Sequence, residues 1–195
     1  MPTIAHVFDW PDRIVVGTIG EPGSRAFYLQ ARTGARVVNV MLEKEQSAIL
    51  AEKVDEILDE LMAAERNPFS VPAVTPIELI DNDPLEQPVD TQFRAGTMTL
   101  GWDPSTAQVV IEAYPFIDSE DYAAEDDAEV GSQDDDTYPQ TVAPAEMLLV
   151  RIPVGTARAF AKRAREVVGA GRPICPFCGT PMDATGHVCP MPDDF

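Results

Sequence analysis

Two stretches of this chain carry the same order of signals: three β-branched runs split by turn residues, then an amphipathic helix entered straight from the third run. The first stretch begins at Arg13-Ile-Val-Val-Gly-Thr-Ile19 and turns at Gly20-Glu-Pro-Gly-Ser24. It continues through Arg25 to Arg32, with Phe27, Leu29 and Ala31 on one face, and turns at Thr33-Gly34 into Ala35 to Leu42. Runs of this kind, punctuated by Gly, Pro and Ser, read as a β-meander. His6-Val-Phe8 could add a fourth strand. From Glu43 to Glu65 the period changes. Ile49, Leu50, Val54, Ile57, Leu58 and Leu61 recur at helical spacing, and Asn67-Pro68 stops the helix because the residue before a proline is driven out of the α region.

The second stretch repeats the order. Gln92 to Leu100 and Ala107 to Tyr114 read as strands flanking a turn at Trp102-Asp-Pro-Ser-Thr106, and Ala145 to Ile152 reads as the third. Val154 to Val168 follows as a helix with Ala157, Phe160, Ala161, Ala164, Val167 and Val168 inward and its basic residues outward. The expected architecture is α+β: antiparallel sheet built from two β-meander-plus-helix units, covered by the two helices. One reading is an internal duplication, and the other is one mixed sheet whose two meanders look alike. The expected α+β domain is 1–170, with halves 1–66 and 92–170. A connector over 67–91 carries Pro68, Pro72, Pro76, Pro84 and Pro88 and is expected to run over the surface with little regular structure.

Charge constrains partners. The chain has 33 acids against 14 bases, a formal net charge of -19, which repels phosphate backbones and anionic membranes. Residues 118 to 136 hold ten acids and no base, so 118–140 is expected to be a disordered acidic insert. The main basic cluster is Arg151, Arg158, Lys162, Arg163, Arg165 and Arg172, a candidate surface for an anionic partner. No apolar run approaches the roughly 20 residues that cross a bilayer, and the N-terminal residues lack the pattern of a signal peptide, so a cytoplasmic protein is expected.

The remaining segment, 171–195, holds all three cysteines: Cys175-Pro-Phe-Cys178, then His187-Val-Cys189. Cys-x-x-Cys brings two thiolates to one point, and Gly179 permits the positive φ such a knuckle needs. Cys175, Cys178, His187 and Cys189 together are a tetrahedral donor set for Zn²⁺. Four protein ligands leave no position for a reacting water, so the expected ion is structural. His6, the other histidine, beside Phe8 and Asp9, is more simply a half-buried strand residue than a base. The chain contains no glycine-rich phosphate loop, no Gly-x-Ser-x-Gly and no His-Glu-x-x-His.

The start from His6 to Arg13, the Phe27-Tyr-Leu-Gln-Ala run followed by Lys44-Glu-Gln, and the ending Cys175-Pro-Phe-Cys-Gly…Gly186-His-Val-Cys-Pro190 resemble an actinobacterial family of uncharacterised proteins, a domain-of-unknown-function family. The resemblance covers nearly the whole chain and implies a cytosolic protein of unassigned activity. The acidic ending, Met191-Pro-Asp-Asp-Phe195, departs from the basic one expected of that family. The element order alone is similar to the Whirly and Pur-type nucleic-acid-binding folds, and order does not give function. Three functions stay open: a non-catalytic adaptor whose zinc knuckle docks a protein, a single-stranded nucleic-acid binder using the sheet face and the basic helix, and an enzyme subunit with a site around His6 and Trp102.

Overall fold

The computed structural model describes residues 4–117, 146–172, 175–182 and 186–189. It holds seven strands, β1 (Ile4–Asp9), β2 (Arg13–Ile19), β3 (Ala26–Thr33), β4 (Arg36–Leu42), β5 (Thr91–Asp103), β6 (Gln108–Pro115) and β7 (Glu146–Pro153), and two helices, α1 (Lys44–Ala63) and α2 (Val154–Gly169). The strands form one mixed sheet in the order β1-β7-β6-β5-β4-β3-β2. Within each meander the pairing is antiparallel: β2 with β3, β3 with β4, β5 with β6, and β6 with β7. The expectation of purely antiparallel sheet is corrected at two joints. β4 lies parallel to β5, and β1 lies parallel to β7 rather than beside the first meander. Both joints link strands far apart in sequence, which hairpin signals cannot register.

The sheet cannot be flat. Its edge strands, β1 and β2, are consecutive in sequence and joined only by Trp10, Pro11 and Asp12. Six inter-strand spacings of about 4.8 Å make a flat width near 29 Å, whereas four Cα steps reach about 15 Å at most. The sheet therefore curls until its edges meet at this corner. Trp10 turns the chain there with φ of 53°, and its N–H donates to the Arg151 carbonyl at 3.1 Å. Arg36 closes the seam from the other side, donating to the Val7 carbonyl at 3.1 Å and lying over the Phe8 ring at 4.5 Å.

The inner face and both helices share one core. Val16, Leu29, Val40, Ile111, Leu148 and Ile152 alternate along the strands and meet Leu50, Val54 and Leu58 of α1 and Phe160 of α2. Small residues on α2, Ala157, Ala161 and Ala164, are fully buried and let the two helices approach closely. α1 starts with Gln46 reaching back to accept from the Glu43 N–H at 2.8 Å. After it ends, Arg66 and Asn67 both take positive φ, and the Asn67 side chain exchanges hydrogen bonds with both backbone groups of Val71.

The proline-rich connector has no regular structure beyond a 3₁₀ turn at Ile77–Leu79, yet it is tightly held. Leu85 packs with Val15 and Tyr28 on the outer face of β2 and β3. Gln30 and Asn39, buried on that face, satisfy the connector backbone. Gln30 accepts from the Glu86 N–H at 2.9 Å and donates to its carbonyl at 3.1 Å, and Asn39 donates to the Asp90 carbonyl at 3.2 Å. Arg13 pairs with Asp81 through two hydrogen bonds of 2.5 and 3.0 Å. Polar side chains here satisfy connector backbone groups that no partner strand pairs. The acidic insert lies outside the described residues.

Candidate metal centre

Past α2 the chain reaches Cys175, whose side of the knuckle is built by two backbone bonds. The Gly179 N–H donates to the Cys175 carbonyl at 3.0 Å, and the Cys175 N–H donates to the Thr180 carbonyl at 2.9 Å. Closing this loop requires a left-handed residue, and Gly179 supplies it with φ of 71°. The turn sets Cys175 and Cys178 side by side, and Gly186, also at positive φ, turns the returning strand so that His187 and Cys189 face them.

The four donor atoms of Cys175, Cys178, His187 and Cys189 all lie within 4.8 Å of one another. Cys178 Sγ is 3.1 Å from His187 Nε2. A tetrahedral ion with metal–sulfur bonds near 2.3 Å holds its sulfurs about 3.8 Å apart, so the cluster needs only a small contraction to take one. The single residue between His187 and Cys189 does not keep either out of the set. Cys175 is buried, and the other three candidate ligands are half-buried. The Cys178 thiol is held down to about 6, first by the Thr180 hydroxyl and then by the Thr180 backbone N–H, with His187 and Cys175 adding to the effect. Thiolate character is what a metal ligand needs. The knuckle also carries two large apolar side chains that face solvent: Phe177 is 76% exposed and Val188 95%.

The basic residues are not one outward patch. Arg158 is buried, contrary to expectation. Its guanidinium donates to Asp55 and Asp59 of α1 at 2.8 Å each and to the Pro72 carbonyl at 3.2 Å. Helix packing explains this: Arg158 lies three residues before Ala161 on the inner flank of α2, and Asp55 and Asp59, four apart, line the facing flank of α1. Arg165 also pairs with Asp55, and Lys162 pairs with Glu166 at 2.5 Å. Arg163 donates to the Asp83 carbonyl at 3.1 Å. Arg151 stays on β7 beside Asp9, and Arg172 turns toward the β2–β3 loop. Sequence reading missed the Asp55–Arg158–Asp59 bridge, although the spacing of the two aspartates was a usable signal.

His6 and Trp102 each make a contact between elements. His6 Nε2 contacts Glu146 Oε1 at 2.6 Å across the β1–β7 joint, and Gln92 donates to the same oxygen at 2.8 Å. Trp102, expected in a turn, lies in β5, with its ring meeting Phe69 edge-on at 4.8 Å. Among the described residues no helix is long and apolar enough to cross a membrane.

The chain belongs to the family described as protein of unknown function, DUF3090, whose model matches residues 6–189. The match spans the curled sheet, both helices and all four metal-ligand candidates, in line with the full-length family resemblance read from the sequence. No curated protein matches the chain, and no solved structure matches it.

Proposed function

We propose that the protein is a cytosolic, non-catalytic binding module whose C-terminal knuckle, closed by one structural Zn²⁺, docks a protein partner. The observation that carries this is the make-up of the knuckle. Three thiolates and an imidazole converge within 4.8 Å, while Phe177 and Val188 on the same loops are left in solvent. The donor set suits zinc, and four protein ligands fill its tetrahedral shell, so no water is left to react. A segment this short and proline-rich cannot bury a core, and the ion supplies its order. Exposed aromatic and aliphatic side chains on a rigid loop are what a protein interface uses as anchors.

Two observations support reading the body as a duplicated β-meander-plus-helix unit. Each meander runs into its helix from its third strand, and each third strand takes a parallel neighbour: β4 takes β5, and β7 takes β1. In this view β1 and β2, broken at Trp10–Asp12, correspond to the two ends of the long β5. The single-stranded nucleic-acid reading has less support, because Arg158, Lys162 and Arg165 already sit in ion pairs with Asp55, Asp59 and Glu166.

Metal analysis of the purified chain is expected to give one zinc per molecule, lost in Cys175→Ser. Zero zinc in freshly purified protein would defeat the metal reading. A stoichiometric protein partner is expected to be retained by the native chain and released by Phe177→Ser/Val188→Ser with zinc content unchanged. Retention by both would show that docking does not use the knuckle.

A further inference from the structure

Strand β5 outruns its neighbour. It spans Thr91–Asp103, but β4 pairs with it only at Thr91, Phe93 and Arg94. β6 covers the opposite edge from Ala95 to Asp103. Where β4 ends at Leu42 the chain turns into α1, which runs on beside the rest of β5. A helix cannot return the ladder bonds of a strand, because its own backbone groups bond within it. Alternate residues of β5 beyond Arg94 therefore turn an N–H and a C=O toward the α1 side, where no strand follows among the described residues. Gln46 of α1 meets the first carbonyls there, donating to Ala95 at 3.2 Å and to Gly96 at 3.0 Å.

Helix and strand edge enclose a groove of about 410 Å³. Ile49 and Ile57 line it from one face of α1, and Met98 and Leu100 line it from one face of β5. Ile49 is 56% exposed. An open strand edge beside apolar side chains is how sheets take up an extended peptide: main-chain bonds give affinity, and the groove reads alternate side chains. Charge selects the occupant. Glu56 and Glu60 line the groove with Lys53, whose ammonium pairs with Glu56 at 2.6 Å. A second copy of a chain of net charge -19, or residues 118 to 136 with ten acids and no base, meets like charge here. A cationic segment meets opposite charge.

We infer that the groove between α1 and the open edge of β5 binds an extended, basic segment of a partner protein, which adds a strand to the sheet beside residues 96–103. Apolar residues at every second position of that segment lie on Ile49, Ile57, Met98 and Leu100, and its basic residues face Glu56 and Glu60. The groove uses no residue of the knuckle, so the inference depends neither on the metal nor on docking there.

Fluorescence anisotropy of the full chain with a labelled, end-capped decapeptide of alternating lysine and valine tests it. One saturable site with a dissociation constant below about 0.5 mM is expected, and weaker or no binding overturns the proposal. The isomer with all lysines before all valines has the same charge without the alternation. It is expected to bind at least about fivefold more weakly, and equal affinity would reduce the effect to charge and overturn the strand assignment. Ile49→Gln, at an exposed helix position that leaves the fold intact, is expected to weaken binding at least about threefold, and a smaller loss overturns it. Glu60→Gln should weaken binding more than Glu65→Gln, an equal change of charge at a side chain 91% exposed, and equal effects would place the peptide elsewhere and overturn the site. A dimer in sedimentation that Ile49→Gln dissociates would assign the groove to a second copy and overturn the proposal.

Discussion

The buried Arg158 offers a comparison, because its two carboxylate partners stand at the same distance and differ in burial, Asp55 also pairing with Arg165. Asp55 and Asp59 each accept from the guanidinium at 2.8 Å, but the Asp55 side chain is 13% exposed and the Asp59 side chain 61%. Distance alone predicts equal coupling. Burial predicts otherwise, because water and salt screen the exposed pair while the desolvated one keeps its attraction. Arg158→Met keeps the apolar stem and removes the charge. Breaking a buried pair costs about 3–5 kcal/mol when it strands the partner. Here Asp55 keeps Arg165, so the loss is expected at about 2–3 kcal/mol, which for a chain of this size lowers Tm by roughly 5–10 °C. Double-mutant cycles with Asp55→Asn and Asp59→Asn, read by urea unfolding, separate the terms. The expected coupling is about 2 kcal/mol for Arg158–Asp55 and below about 1 kcal/mol for Arg158–Asp59. Only the second should fade as salt is raised. Equal couplings, or a larger one for Asp59, would refute the claim that burial decides.

Two further outcomes follow from the connector. Gly17 faces Leu85 so closely that an added Cβ would stand 2.5 Å from two of its carbons, so Gly17→Ala is expected to destabilise by about 1–3 kcal/mol, and Leu85→Ala in the same chain should recover part of that loss in chemical denaturation. Asp81 has its carboxyl held below the ordinary value, first by the hydrogen bond from Arg13 and then by the Asp83 N–H. A depressed folded value means stability that is fully present above the ordinary carboxyl range and is lost as pH falls through the depressed one. Asp81→Asn should therefore cost less than about 1 kcal/mol at pH 7, since the pair is partly solvated, and should flatten the acid limb of a stability–pH curve below about pH 4. An unchanged acid limb would separate Asp81 from acid unfolding.

What could be read from sequence was whatever is set locally. Strand and helix positions were legible, since period and turn chemistry act within a few residues: α2 was expected over 154–168 and spans Val154–Gly169. The convergence of Cys175, Cys178, His187 and Cys189 was legible for the same reason, because the four fall within one short run of chain, 175–189. The parallel joints were not, since β4 and β5 are separated by α1 and the connector, and β1 and β7 by most of the chain. Trp102 was assigned to a turn on the strength of Asp103-Pro104, yet pairing with Val109 keeps it in β5. Arg158 was assigned to solvent by residue type, while its position three residues before Ala161 placed it between the helices. Charge prevailed over periodicity in that reading, and the facing aspartates on α1 reverse the outcome. The connector looked like surface loop because its prolines exclude strand, but Gln30 and Asn39 supply the hydrogen bonds that a neighbouring strand would have given.

The meeting of the first and last strands also sets an order of events as the protein is made. β1 finds its sheet neighbour only in β7, and the contact of His6 with Glu146 spans 140 residues. A growing chain can complete the β2–β4 meander early from neighbouring segments, while Phe8, which ends up almost wholly buried, has no β7 neighbour until residues 146–153 emerge. Contacts at such separation carry a large closure entropy and slow the folding step that forms them. β1 therefore finds its place only after β7 has been made, and closing the curled sheet waits for that pairing.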